Sequence, residues 1–157
     1  MIASIVREPR YVYHAYYHDR EGVIGELCVD LVEKYGYKER LIETDASVPI
    51  ETPHGSMFVS IDILVRTPEG SPLLIIEVAA EDTYELGYET AIHKLFALAR
   101  NITRNPASPL FLIYHTHWHA NGKLKGRHTI IDYRLFPDFE IWKNASFPGR
   151  PEIPNNR

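Results

Sequence analysis

Thiol chemistry is almost absent from this chain of 157 residues, in which Cys28 is the only cysteine. No internal disulfide can form, which fits a reducing cytoplasm, and a lone cysteine excludes thiolate zinc knuckles. Long apolar runs are missing as well. None approaches the ~18 residues of a membrane span, so no transmembrane helix and no membrane partner is expected. The first residues, MIASIVREPRYVYH, lack a basic start followed by an apolar segment, so no secretory signal is expected. Internal repeats are absent. With 45% apolar and 24% charged residues, the composition fits one globular domain and excludes wholesale disorder and collagen-like repeats.

The net charge of −4 argues against a non-specific nucleic-acid binder, but it hides an asymmetry. Residues 1–93 carry 7 basic and 17 acidic side chains, a net −10, whereas residues 94–157 carry 10 and 4, a net +6. Such a split fits an acidic metal-binding region beside a basic, phosphate-facing one; it equally fits two halves whose charges interleave on one folded surface.

Periodicity supplies the elements. Residues 1–20 are rich in tyrosine (Tyr11, Tyr13, Tyr16, Tyr17) and read as a short strand or a packed arm. Over residues 21–35, Val23, Ile24, Leu27, Cys28, Leu31, Val32 and Tyr35 form one apolar stripe of a helix, with Asp19 as cap and Gly36 as stop. Strands are expected at 41–50, at 57–66 (MFVSIDILVR) and at 73–80 (LLIIEVAA), the last two joined by the turn-forming TPEGSP. Both are apolar on both faces, which predicts a sheet covered on each side. A second helix over 82–102 is followed by strands at 110–114 and 128–133, with the NGKLKGR segment read as a loop between them. The order is α-β-β-β-α-β-β in one domain over 1–146, ending in an extended or disordered tail at 147–157.

Two interruptions in the apolar strands carry the chemistry: Asp62 and Glu77. If the hairpin is symmetric about Glu69 and Gly70, these residues face each other on adjacent strands, with Cβ atoms roughly 5 Å apart. A bulge at Gly70 would break that register. Facing like charges in dry surroundings are unfavourable unless one takes a proton or a cation sits between them. Mg²⁺ uses one or two carboxylates, completed by water and phosphate oxygens, and can polarise a phosphodiester. The plain alternative is a pair of strand-end carboxylates that simply reach solvent.

The run VSIDILVRTPEGSPLLIIEVAA resembles the core hairpin of the PD-(D/E)XK nuclease superfamily, in particular the N-terminal nuclease domain of type I restriction enzyme R subunits. The resemblance covers about residues 20–116. It implies an α/β, restriction-endonuclease-like three-layer core, a mixed sheet flanked by helices in the order α-β-β-β-α-β. It further implies Mg²⁺- or Mn²⁺-dependent phosphodiester hydrolysis, DNA as substrate, and a homodimer or larger restriction-type complex in the cytoplasm. Carried over by position, Asp62 and Glu77 would be metal ligands, with the Val78 carbonyl completing the site. The chain departs from the pattern where the lysine should stand two residues after the glutamate: that position is Ala79. Either the cation comes from elsewhere, or the fold is kept as a catalytically silent binding or assembly module.

Lys94 is the candidate replacement. Residues 91–99 (AIHKLFALA) resemble the helix that follows Glu-X-Lys in restriction-type relatives, with Lys94 at the glutamine of a Gln-X-X-X-Tyr pattern and Leu98 at the tyrosine. Lys94 borders the apolar stripe on one side and Glu89 on the other, and only one border can face the acidic pair. A solvated lysine is the alternative, with Glu89 or Glu85 then completing a metal site. Glu21, in line with Ile24 and Cys28, is a further candidate metal ligand, since first-helix acids join the site in many superfamily members; a dipole-favoured first-turn glutamate is the simpler reading. Glu26 is expected to point away. His115, His117 and His119 alternate, so a continuing strand would put them on one face, as Zn²⁺ or Cu²⁺ ligands or as a polar strand end. Lys123, Lys125 and Arg127 are candidate contacts to a nucleic-acid backbone, or equally a solvated basic hairpin.

Overall fold

The structure is a computed structural model that describes residues 19–145 and 153–156. The tyrosine-rich segment up to residue 18 lies outside the described residues. Helix α1 (Arg20–Glu33) starts at Asp19, whose side chain accepts from the Gly22 N–H at 2.8 Å and caps a free donor of the first turn. It ends before Gly36, which takes φ +83. Five strands follow the chain: β1 (Ile42–Thr52), β2 (Gly55–Arg66), β3 (Pro72–Val78), β4 (Phe111–Ala120) and β5 (Lys123–Asp132). Helix α2 (Tyr84–Ile102) connects β3 to β4, and a short α3 (Phe139–Asn144), which the periodicity does not announce, follows β5.

The sheet order is β1-β2-β3-β4-β5, parallel only between β3 and β4 and antiparallel elsewhere. The parallel pair is the one that needs a crossover, and α2 supplies it. The two apolar faces are covered separately. Val23, Leu27 and Leu31 of α1 pack with Ile63, Val65, Leu74, Ile76 and Ile113. Ile92, Leu95, Phe96 and Ala99 of α2 pack with Leu64, Ile75, Leu112 and Ile131 on the other side. This is an α/β fold with a mixed sheet between helical layers, as strands apolar on both faces require. Among the described residues no helix is long and apolar enough to cross a membrane.

Two expectations are corrected. The first strand runs past its expected end at Ile50 to Thr52, just before Pro53, and carries Pro49 inside it, because β1 is an edge strand, where a missing N–H is tolerated. The NGKLKGR segment is not a loop: Asn121 (φ 53) and Gly122 (φ 74) alone make the turn, and Lys123, Lys125 and Arg127 belong to β5. Two positive φ values in succession are the requirement of a two-residue type I′ hairpin, for which Asn-Gly is the preferred pair. Of the tail, residues 153–156 are described: Ile153 is buried in the α1-side core, and Tyr37 donates to the Pro154 carbonyl at 2.6 Å.

Candidate functional site

Asp62 and Glu77 are the charged residues buried in the centre of the sheet, at 5% and 7% exposure. The pairs Ile63↔Ile76, Leu64↔Ile75 and Val65↔Leu74 fix a register that, continued one step, sets Asp62 opposite Glu77. The turn pairs Arg66 with Pro72, and an irregularity between Val65 and Arg66 shifts the register by one residue, which brings the acidic end into phase. Asp62 alternates with Leu64, and Glu77 with Ile75, so both carboxylates lie on the α2 face.

At this point side chains replace the backbone ladder. The Asp62 N–H donates to Glu77 Oε2 at 3.1 Å, and the Val78 N–H donates to Asp62 Oδ2 at 2.7 Å. The other two carboxylate oxygens meet cations: Lys94 Nζ donates to Glu77 Oε1 at 2.5 Å, and Arg20 donates to Asp62 Oδ1. Burial, reinforced by the Asp62 charge, pushes the Glu77 carboxyl above its usual range; Lys94 and the Asp62 N–H pull the other way.

The Lys94 border of α2 therefore faces the pair, and the Glu89 border does not. Glu89 is exposed beside His93, and Glu85 is exposed and paired with Arg127. Glu21 is 78% exposed and approaches Asp62 only through Arg20, which binds both. Of the first two helix residues, Arg20 reaches Asp62 and Glu21 faces solvent. Arg20 was not a sequence candidate: 42 positions separate it from Asp62, and no local pattern marks the contact. Ala79 is 8% exposed and packed in the α2-side core, so its methyl fills space under the helix.

Lys123, Lys125 and Arg127 pair with Ala120, Trp118 and Thr116, which places them on the same sheet face as Asp62 and Glu77. All three are exposed. The Arg127 guanidinium lies 4.7 Å from the Tyr84 ring centre and pairs with Glu85.

The histidines lie on the opposite face. β4 runs six residues beyond the expected end, so His115, His117 and His119 share the α1 side, and His128 stands opposite His115. Contrary to expectation, Glu26 points toward them: its Oε1 lies 3.2 Å from His117 Nε2 and 3.1 Å from His119 Nε2. The added length of β4 brings sheet beneath a flank of α1 that a shorter strand would have left in water. His115 Nε2 is 2.9 Å from His117 Nδ1. Burial, with the charges of His117 and His128, holds the His115 pKa well below the usual histidine value. Burial acts against the Glu26 charge, but bonds from His117 and His119 hold its carboxyl below the ordinary range.

Among the described residues, no three His, Cys, Asp or Glu side chains are arranged to hold a metal ion. The Asp62–Glu77 pair offers two hard oxygen donors, which suits an open Mg²⁺ or Mn²⁺ site completed by water and substrate, not a closed cage. Compared with known proteins, the chain matches no family model and no curated protein sequence.

Proposed function

We propose that this chain is a divalent-metal-dependent phosphodiesterase of the PD-(D/E)XK kind, acting on DNA, with Asp62 and Glu77 as metal ligands and Lys94 as the cation that residue 79 does not supply. The observation that carries this reading is the contact of Lys94 Nζ, 2.5 Å from Glu77, on the face where two carboxylates are buried side by side. A bound Mg²⁺ or Mn²⁺ would supply polarisation of the phosphodiester and a more acidic water. The chain's own groups do the rest. The Asp62 and Val78 N–H groups orient the two carboxylates. Lys94 holds a positive charge where charge develops on phosphorus. Lys123, Lys125 and Arg127 extend the same face as contacts for backbone phosphates.

The second reading, a catalytically silent binding module, is favoured by one observation: each carboxylate oxygen of the pair already has a donor. Nicking of supercoiled DNA in Mn²⁺ separates the two. Cleavage by the wild type that disappears in Asp62→Asn supports the nuclease. DNA retention without cleavage, unchanged in Asp62→Asn, supports the silent module.

A further inference from the structure

The acidic pair is neutralised from two directions. Lys94 comes from the middle of α2 and Arg20 from the first turn of α1, so two negative side chains meet two positive ones. The two backbone donors approach from the strands and leave the remaining lone pairs of each carboxylate oxygen available. Each side-chain cation takes up one carboxylate oxygen, Arg20 on Asp62 Oδ1 and Lys94 on Glu77 Oε1. They are not equally held. Lys94 is 32% exposed and Arg20 48%, and Arg20 also has Glu21, 3.1 Å away and facing water, as a second acceptor. Arg20 can leave Asp62 without losing its ion pair with Glu21; for Lys94 the described contact is Glu77 alone.

From this arrangement we infer that Arg20 is a tethered counter-ion of Asp62, which a divalent cation displaces onto Glu21 and solvent when it binds the acidic pair. The inference rests on the metal-site reading above. Arg20 then sets a threshold: it keeps the pair compensated without metal and weakens the apparent affinity for any cation that must evict it. Its role is positioning and competition.

The test is calorimetric titration of the whole chain with MnCl₂, for the wild type, Arg20→Ala and Arg20→Gln, with Asp62→Asn as the site control. Removing the competitor should tighten Mn²⁺ binding at least tenfold in both Arg20 variants, and Asp62→Asn should abolish it. Damage to the fold would weaken binding, so the expected sign separates competition from a merely structural role. The glutamine variant keeps much of the side chain's bulk should alanine disturb the helix start. Equal or weaker affinity in the Arg20 variants, with binding still lost in Asp62→Asn, overturns the role of Arg20 and leaves the metal site standing. No binding by any of the proteins, or binding that survives Asp62→Asn, overturns both.

Discussion

Replacing Lys94 by methionine isolates the electrostatics of the pair, because methionine keeps an unbranched side chain of similar length and removes the charge. Glu77 would then lie buried next to Asp62 without its counter-ion. Breaking a buried ion pair by removing one partner costs about 3–5 kcal/mol. Lys94 is about a third exposed, so water screens part of that interaction, and about 1.5–2.5 kcal/mol is expected. For a domain of this size that corresponds to a fall in Tm of about 3–10 °C. The pH dependence fixes the cause. The Glu77 carboxyl is already raised in the folded protein by burial and by Asp62, and loss of Lys94 raises it further. A raised carboxyl favours folding at low pH, and that advantage is lost as pH rises from the unfolded value near 4.5 through the folded one. The deficit of Lys94→Met relative to wild type should therefore be full at pH 8 and shrink toward pH 4.5, where a neutral carboxyl needs no partner. Urea unfolding at both pH values measures it. Adding Glu77→Gln to Lys94→Met should recover most of the loss. A deficit that is absent, or the same at both pH values, would refute an electrostatic role for Lys94.

Three further outcomes follow from the same geometry. Mn²⁺ should raise the wild-type melting temperature by mass action, by about 2.7 kcal/mol of stability at a hundredfold excess over Kd, and Asp62→Asn and Glu77→Gln should each remove the rise in differential scanning fluorimetry. On the α1 face, the depressed His115 gives stability that is full above pH 6.5 and falls as the solution is acidified below it, and depressed Glu26 adds a loss below 4.5. His115→Gln should accordingly flatten the chemically measured stability-versus-pH slope below pH 6.5 by up to about 1.4 kcal/mol per unit; an unchanged slope would show that His115 takes up no proton on unfolding. If the proposed DNA contact holds, Lys125→Ala should weaken DNA binding uniformly across sequences and reduce the salt slope by about one, read by fluorescence anisotropy at several salt concentrations.

The layered sheet was legible in the sequence because its signals are local. The α1 stripe repeats over single turns, and the strands at 57–66 and 73–80 are apolar on alternate and intervening positions alike. The facing of Asp62 and Glu77 follows from symmetry about Glu69 and Gly70, but turn length alone does not fix it: the turn pairs Arg66 with Pro72, and the irregularity beside Val65, which no local signal marks, supplies the one-residue shift. The end of β4 was not legible. His115, His117 and His119 interrupt an apolar run with polar side chains, and the Asn121–Gly122 turn beyond them is the only mark that the strand continues. Missing that turn also misplaced Lys123, Lys125 and Arg127 in a loop and hid the contact of Glu26 with the histidines. Lys94 could be named because it borders an amphipathic stripe. Arg20 could not, since its meeting with Asp62 depends on where the start of α1 lies against β2, a tertiary property with no signature in spacing.

The most direct test of the proposed chemistry is the rate at which supercoiled DNA is nicked in Mn²⁺ by the wild type and by Lys94→Ala. A nuclease whose missing lysine is supplied from α2 should cut as wild type and slow by roughly 10²–10³-fold on loss of that one transition-state contact. Wild-type protein that does not cut, or a Lys94→Ala variant that cuts as fast as wild type, would contradict it.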